Sequence, residues 1–114
     1  MMQLPQAKDG PTINADLEQA RQAFVVGVEH FEAGRLPQAR QCFEASLALA
    51  PGRASVLLNL GITHFRLGQW NEAIDWLQRA ANADPAKPDA HAFLGLAQEA
   101  TAQWPAAVMN PLGR

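Results

Sequence analysis

Several residue types and patterns are missing from this chain of 114 residues, and each absence excludes a class of protein. The sequence contains no Tyr and only one Cys, Cys42, so an intramolecular disulfide or a two-cysteine zinc or redox motif is impossible. The amino-terminal twelve residues, MMQLPQAKDGPT, lack the basic start and apolar stretch of a signal peptide, and no apolar run reaches eighteen residues. These features predict a protein without a membrane span, and the single Cys favours a reducing cytoplasm.

Charge is also sparse and evenly spread. Nine basic and eleven acidic residues give a formal net charge of −2, with no run of one sign. Binding to nucleic acid normally requires a basic stripe, because neutralising phosphates supplies much of the affinity. The charge pattern therefore argues against a nucleic-acid partner.

The familiar enzyme and cofactor motifs are absent as well. The chain has no Gly-rich phosphate loop, no HExxH, no CxxC and no Gly-x-Ser-x-Gly. Two sharper hypotheses remain: Cys42 with His30 as a nucleophile and base, and His30 with His64 as a metal pair. Packing roles explain these residues better, since two histidines without a third ligand make a poor zinc site. We therefore predict no catalytic residue, no cofactor and no metal.

What the sequence does contain is an internal repeat of 34 residues. Shifting the chain by 34 residues aligns 20–53 with 54–87, and a second shift extends the alignment to Gly95 and Ala107. The matching pairs are Gly27 and Gly61, His30 and His64, Phe31 and Phe65, Gly34 and Gly68, Ala39 and Ala73, and Pro51 and Pro85. A helix-turn-helix unit of this length buries its apolar face only by stacking on a neighbour.

The repeated residues have mechanical roles in such a unit. Gly27, Gly61 and Gly95 would let the second helix approach closely, with Ala39, Ala73 and Ala107 facing them. Gly34 and Gly68 would end the first helix in a left-handed conformation, and Pro51 and Pro85 would stop the second. We predict helices at 14–33, 37–49, 54–67, 71–83 and 88–101, and a short turn at 105–109.

These residues resemble the tetratricopeptide repeat family. The segment VLLNLGITHFRLGQWNEAIDWLQRAANADP, from Val56 to Pro85, carries the resemblance most fully, and FVVGVEHFEAGRLPQARQCFEASLALAP, from Phe24 to Pro51, keeps the spaced positions. The third unit keeps Leu94, Gly95, Trp104 and Ala107, but Pro111 stands where the second helix should bury a large apolar residue. The resemblance implies an all-α fold of helix-turn-helix repeats, stacked as a short right-handed α-solenoid.

The expected organisation has four parts. Residues 1–13 would be a disordered amino-terminal segment, and 14–53 the first repeat with an extended first helix. Residues 54–87 would be the second repeat, and 88–114 a partial third repeat with an irregular end. An open edge after the third repeat would favour pairing with another copy or continuation into a longer protein.

The family resemblance also assigns a binding surface. Partners of such repeats commonly lie along a concave groove formed by the first helix of each unit. The wider face would include Arg21, Glu32, Ser55, Asp89, Ala92 and Glu99. The predicted partner-binding groove is Phe24, Val28, Phe31, Leu58, Asn59, Ile62, Phe65, Arg66, Phe93 and Leu96.

The groove composition argues against one partner class. Family members that clamp acidic chaperone tails use lysine, asparagine and basic residues at five positions, which are here Phe24, Val28, Asn59, Asp89 and Phe93. Only Asn59 fits, and Asp89 would repel a carboxylate. A chaperone acidic-tail clamp is therefore not expected.

The apolar residues of the groove would form an exposed patch that needs a cover. The candidate covers are a helix or apolar peptide of another protein, a second copy in a homodimer, or the segment around Leu4 and Ile13; alternatively these side chains pack between adjacent helices. The Ala-rich composition is typical of a bacterial protein. The leading hypothesis is a protein–protein interaction scaffold; the alternatives are a homo-oligomerisation module or the amino-terminal appendage of a larger enzyme.

Overall fold

The computed structural model describes the backbone of residues 3–103 and the side chains of residues 15–103. Five α-helices and no strand occur in this described part of the chain. The helices are α1 (Gln3–Glu32), α2 (Leu36–Leu49), α3 (Ala54–Arg66), α4 (Trp70–Ala83) and α5 (Pro88–Gln103). The predicted all-α, helical-repeat class is confirmed.

The chain divides into two compact units between Gly52 and Arg53. In the first unit α1 packs against α2, and in the second α4 packs against both α3 and α5. The first unit buries Ala20, Ala39 and Phe43 completely, together with the hydroxyl-bearing Ser46. The second unit has a larger core, whose fully buried members include Leu60, Leu77 and Ala97.

The apolar spacing of each helix explains which face it buries. In α4 the buried residues Ala73, Leu77, Ala80 and Ala81 recur at the i, i+4, i+7, i+8 spacing of one helical face. In α5 the buried residues are Ala90, Leu94, Ala97 and Ala100. Small alanines dominate both faces, so the helices can pack at short axial distance.

The helix ends follow the repeated glycines and prolines. Gly34 and Gly68 have φ of 84° and 78°, the left-handed conformation that was predicted for both. Gly52 has φ of 87°, in the connection after Pro51, and this turn was not predicted. Pro37 lies in the first turn of α2, where a missing N–H costs no helical hydrogen bond.

One helix boundary differs substantially from the prediction. The backbone of α1 is helical from Gln3, whereas residues 1–13 were expected to be disordered. Helix extension adds one backbone hydrogen bond for each residue fixed, but Pro5 and Pro11 have no N–H to donate, so extension alone does not explain this boundary. The predicted turn at 105–109 lies outside the described residues.

Candidate binding surface

The turns between paired helices are built alike in the two units and fix the carboxyl ends of α1 and α3. The backbone N–H of Gly34 donates to the Phe31 carbonyl at 3.0 Å, and the N–H of Arg35 donates to the His30 carbonyl at 2.8 Å. Gly68 and Gln69 make the equivalent bonds to the carbonyls of Phe65 and His64. This is the Schellman arrangement, which satisfies carbonyls that the ending helix leaves unpaired. These hydrogen bonds therefore fix the last turn of each helix, which contains Phe31 in α1 and Phe65 in α3.

The close approach predicted at the repeated glycines is present in both units. A Cβ atom placed on Gly27 would lie 2.6 Å from Cε1 of Phe43, and one on Gly61 would lie 2.7 Å from Cγ of Leu77. The sequence predicted Ala39 and Ala73 opposite these glycines, and the nearest side chains are those of Phe43 and Leu77. Phe43 and Leu77 are the larger residues four positions later on the same face, and they reach further across the helix pair.

Gly95 behaves differently from the other two glycines. No described atom lies within 4 Å of a Cβ placed there. Its predicted neighbour Ala107 lies outside the described residues, so the third close approach stays a prediction.

The predicted groove residues of the first unit lie along one stripe of α1. Phe24, Val28 and Phe31 are all half-buried, and the Phe24 ring is tilted against Phe43 at a centroid distance of 5.8 Å. Phe24 therefore belongs partly to the α1–α2 interface. The prediction missed Leu17, which is 45% exposed and precedes Phe24 by seven residues on the same stripe. The available signal was the spacing of seven residues that runs from Leu17 to Phe24 and on to Phe31. Leu17 was missed because it lies before residue 20, where the repeat alignment begins.

The groove residues of the second unit come from α3 and α5. Phe65 of α3 and Phe93 of α5 meet edge to face, with ring centroids 6.3 Å apart and an interplanar angle of 72°. Ile62 is half-buried, and Leu96 is 49% exposed. We call Ile62, Phe65, Phe93 and Leu96 the second-unit apolar face.

Leu58 is a correction to the predicted exposed patch. Only 7% of this residue is exposed, so it contributes to the core and offers no free surface. Its burial has a physical reason, because α3 packs against α4 and also contacts α5, which widens the covered part of its circumference. The exposed apolar area is consequently smaller than the sequence predicted.

The polar groove residues are engaged within the second unit. The Asn59 side chain donates through Nδ2 to the Ser55 carbonyl at 2.8 Å, one turn earlier in α3. Arg66 is exposed at the end of the same helix. Asn59 is the residue that matched the chaperone clamp, and its bond within α3 uses one of its two N–H donors.

The described residues allow the hypotheses of a metal site and of a reactive Cys42 to be compared with the structure. No group of three or more His, Cys, Asp or Glu side chains that could hold a metal occurs among them. Cys42 is a half-buried free thiol whose Cβ would lie 3.1 Å from a Cβ on Gly27. No described helix combines the length and the apolarity needed to cross a bilayer.

Comparison with known proteins agrees with the repeat. The model of the tetratricopeptide repeat matches residues 30–107, which is more than half of the chain. A search with the chain found no match among curated proteins. The matched range covers both Schellman turns and the second-unit apolar face. The chain belongs to the tetratricopeptide repeat family.

Proposed function

We propose that this protein is a non-enzymatic interaction module and that the second-unit apolar face receives a helix or apolar peptide of another protein. Tetratricopeptide repeats in general mediate protein–protein interaction and are typically non-catalytic. The observation that carries the finer proposal is Leu96, which is 49% exposed on the same helix as the packed Phe93 ring. An exposed leucine beside two partly exposed aromatic rings provides an apolar anchor point on a rigid helix.

The first unit supplies a second set of groove residues. Phe24, Val28 and Phe31 share one stripe of α1 with the exposed Leu17. We propose that this stripe is a binding surface of the first unit in its own right. The half-buried free thiol of Cys42 and the lack of any second cysteine fit action in a reducing cytoplasm.

A peptide selection tests this function and does not require the natural partner to be identified. A displayed library of random sixteen-residue peptides is selected on the full chain, and the binders are measured by fluorescence anisotropy. Leu96→Gln should weaken them roughly three- to tenfold, because Leu96 is 49% exposed and binding would gain about half of the roughly 1.5–3 kcal/mol of a fully buried leucine side chain. Val26→Gln is the matched control, since Val26 is also an exposed apolar residue, 42% accessible, but lies in α1 of the first unit, off the predicted stripe.

The result has a clear interpretation. Binders that tolerate Leu96→Gln as well as Val26→Gln would contradict the proposed face. A selection that yields no binder at all would contradict the docking function itself.

Homo-oligomerisation is the second candidate, and a specific observation favours it. Leu17, Val25 and Val26 of α1 are all more than two-fifths exposed. A second copy could cover Val25 and Val26, which are neighbours on α1, through a two-fold interface, whereas Leu17 lies on the opposite side of the helix from Val26. Light scattering over a hundredfold concentration range separates the candidates: a mass near 12.4 kDa throughout favours a free binding module, and a rising mass favours self-association.

A further inference from the structure

We infer that the peptide or helix bound at the second-unit apolar face carries Lys or Arg residues on the side that lies against α5. This inference rests on the proposed function and adds the charge of the partner. Its starting point is the exposed stripe of α5, where Leu96 lies seven residues after Asp89 and three before Glu99. Residues at these spacings share one helical face, so an apolar anchor stands between two carboxylates.

No Lys or Arg side chain of α5 neutralises these carboxylates; Asp89 lies in the first turn, near the positive end of the helix dipole, and Lys87 directly precedes the helix without an ion pair to either carboxylate. The helix sequence PDAHAFLGLAQEATAQ contains no Lys or Arg. Glu99 accepts a hydrogen bond of 3.4 Å from the amide of Gln103, which is a neutral partner. The ion pairs of Arg21 with Glu18 and of Arg40 with Glu44 both lie in the first unit. Both α5 carboxylates are exposed and lack a basic partner within salt-bridge distance in the described part of the chain.

The charge of α3 makes the face asymmetric. This helix has no acidic residue, and Arg66 at its carboxyl end is its one Lys or Arg. The acidic residues of this face therefore lie on its α5 side, and Arg66 lies on its α3 side. A bound segment should place its basic residues on that side and its apolar residues over Phe65 and Leu96.

The first helix of the other unit shows the same sign independently. The part of α1 whose side chains are described has one Lys or Arg, Arg21, which is paired with Glu18, and four acidic residues, Asp16, Glu18, Glu29 and Glu32. The segment that follows, residues 33–53, has three Arg and one Glu, so acidity is not a general property of the chain. The described part of α1 has a net charge of −3 and α5 one of −2, whereas α4, with Glu72 and Asp75 against Arg79, has a net charge of −1.

Charge of this kind selects partners more than it adds affinity. An acidic segment approaching Leu96 would bring like charges together, whereas a basic segment would be attracted and correctly oriented. Exposed ion pairs are individually weak, and salt screens them within about 8–10 Å. The expected signature is therefore a preference in peptide selection and a clear dependence of binding on salt.

The test uses the sixteen-residue peptides selected on the full chain. They should contain more Lys and Arg than the starting library, alongside apolar residues. The double variant Asp89→Lys, Glu99→Lys should abolish this excess and weaken a labelled basic peptide roughly tenfold at 50 mM NaCl, and less at 500 mM NaCl. The matched control is Glu72→Lys, Asp75→Lys, which makes the same charge change at two exposed residues of α4 and should leave binding unchanged.

The outcomes separate this inference from the function beneath it. Peptides that require Leu96 but show no basic excess, or that respond equally to both double variants, would overturn the inference and leave the docking face intact. Peptides rich in Asp and Glu would overturn it with the opposite sign. Failure to select any peptide sensitive to Leu96→Gln would overturn the proposed docking face as well.

Discussion

The guanidinium Nε of Arg35 donates a hydrogen bond of 2.8 Å to Nδ1 of His30 across the turn between α1 and α2. Thirty-four residues later, Nδ1 of His64 lies 2.7 Å from Oε1 of Gln69 across the turn between α3 and α4. In a Schellman turn these two positions usually make a hydrophobic contact, which here is a polar one. Because Arg Nε only donates and Oε1 only accepts, Nδ1 accepts in the first repeat and donates in the second.

The two histidine contacts differ in burial, which predicts different costs for breaking them. Gln69→Ala should destabilise the protein by about 1–2 kcal/mol, because His64 is only 6% exposed and its Nδ1 would lose its partner. Arg35→Ala should cost less than about 0.5 kcal/mol, since His30 is half-buried and Arg35 is exposed, so water can replace the lost bond. Urea unfolding followed by circular dichroism measures both, and equal losses would show that water also reaches His64.

The repeated glycines provide a second stability test. Gly27→Ala and Gly61→Ala should each destabilise the fold by roughly 1–2 kcal/mol, because the new methyl group would overlap Phe43 or Leu77, and both of these side chains are fully buried. The intrinsic preference of helices for Ala over Gly, about 1 kcal/mol, offsets part of this cost. Thermal unfolding compared with the unmodified chain gives the sign, and a rise in stability at either position would contradict the close approach.

Gly95→Ala uses the same change to examine the predicted third repeat. With no described atom within 4 Å, the substitution should stabilise α5 by about 0.5–1 kcal/mol. A loss of stability would instead favour the predicted contact between Gly95 and Ala107. The sign of the change, measured by the same thermal unfolding, therefore decides between them.

Local sequence signals predicted the helix-turn-helix units well. Gly68 and Pro85 mark the turns directly, so the predicted boundaries of α3 and α4 are accurate to one residue. The predicted α3 ends one residue late and the predicted α4 starts one residue late. Side-chain contacts were harder, since they depend on the direction and reach of each residue. The nearest contacts of Gly27 and Gly61, which Phe43 and Leu77 make, were not predicted for this reason.

The sequence predicted which residues of the candidate surface share a helical face, but not how much of each side chain is exposed. The repeat alignment placed Phe65 on the first helix of the second repeat, and Phe93 and Leu96 on the first helix of the third. In the structure Phe65 and Phe93 are in contact. The burial of Leu58 follows from the position of α5 beside α3, which is tertiary information that a helical period does not contain. Whether this stripe binds a partner stays a prediction.

Ser46 holds the first pair of helices together by a buried hydrogen bond. Its hydroxyl donates to the Ala20 carbonyl at 2.7 Å, and both residues are 0% exposed. Ser46→Ala should cost about 0.5–1.5 kcal/mol from the lost bond, reduced by the higher helix propensity of Ala. Ala48→Ser, at an exposed position of the same helix, measures the propensity difference separately. If correcting for that difference leaves no loss in chemical denaturation, the hydrogen bond contributes nothing net.

The aromatic pair of the second unit determines which substitution can test binding without damaging the fold. Phe65→Glu should destabilise the protein by roughly 2–3 kcal/mol, because a charged carboxylate would replace a half-buried ring that packs edge to face on Phe93. Leu96→Gln should cost less than about 1 kcal/mol, since half of Leu96 is already in water and Gln is a good helix former. The urea unfolding midpoints of the two variants give the comparison of stability, provided that their m-values are equal. Should Phe65→Glu prove as harmless as Leu96→Gln, the Phe65 ring would be a free surface group in solution, and Phe65 would become the sharper probe of the docking face.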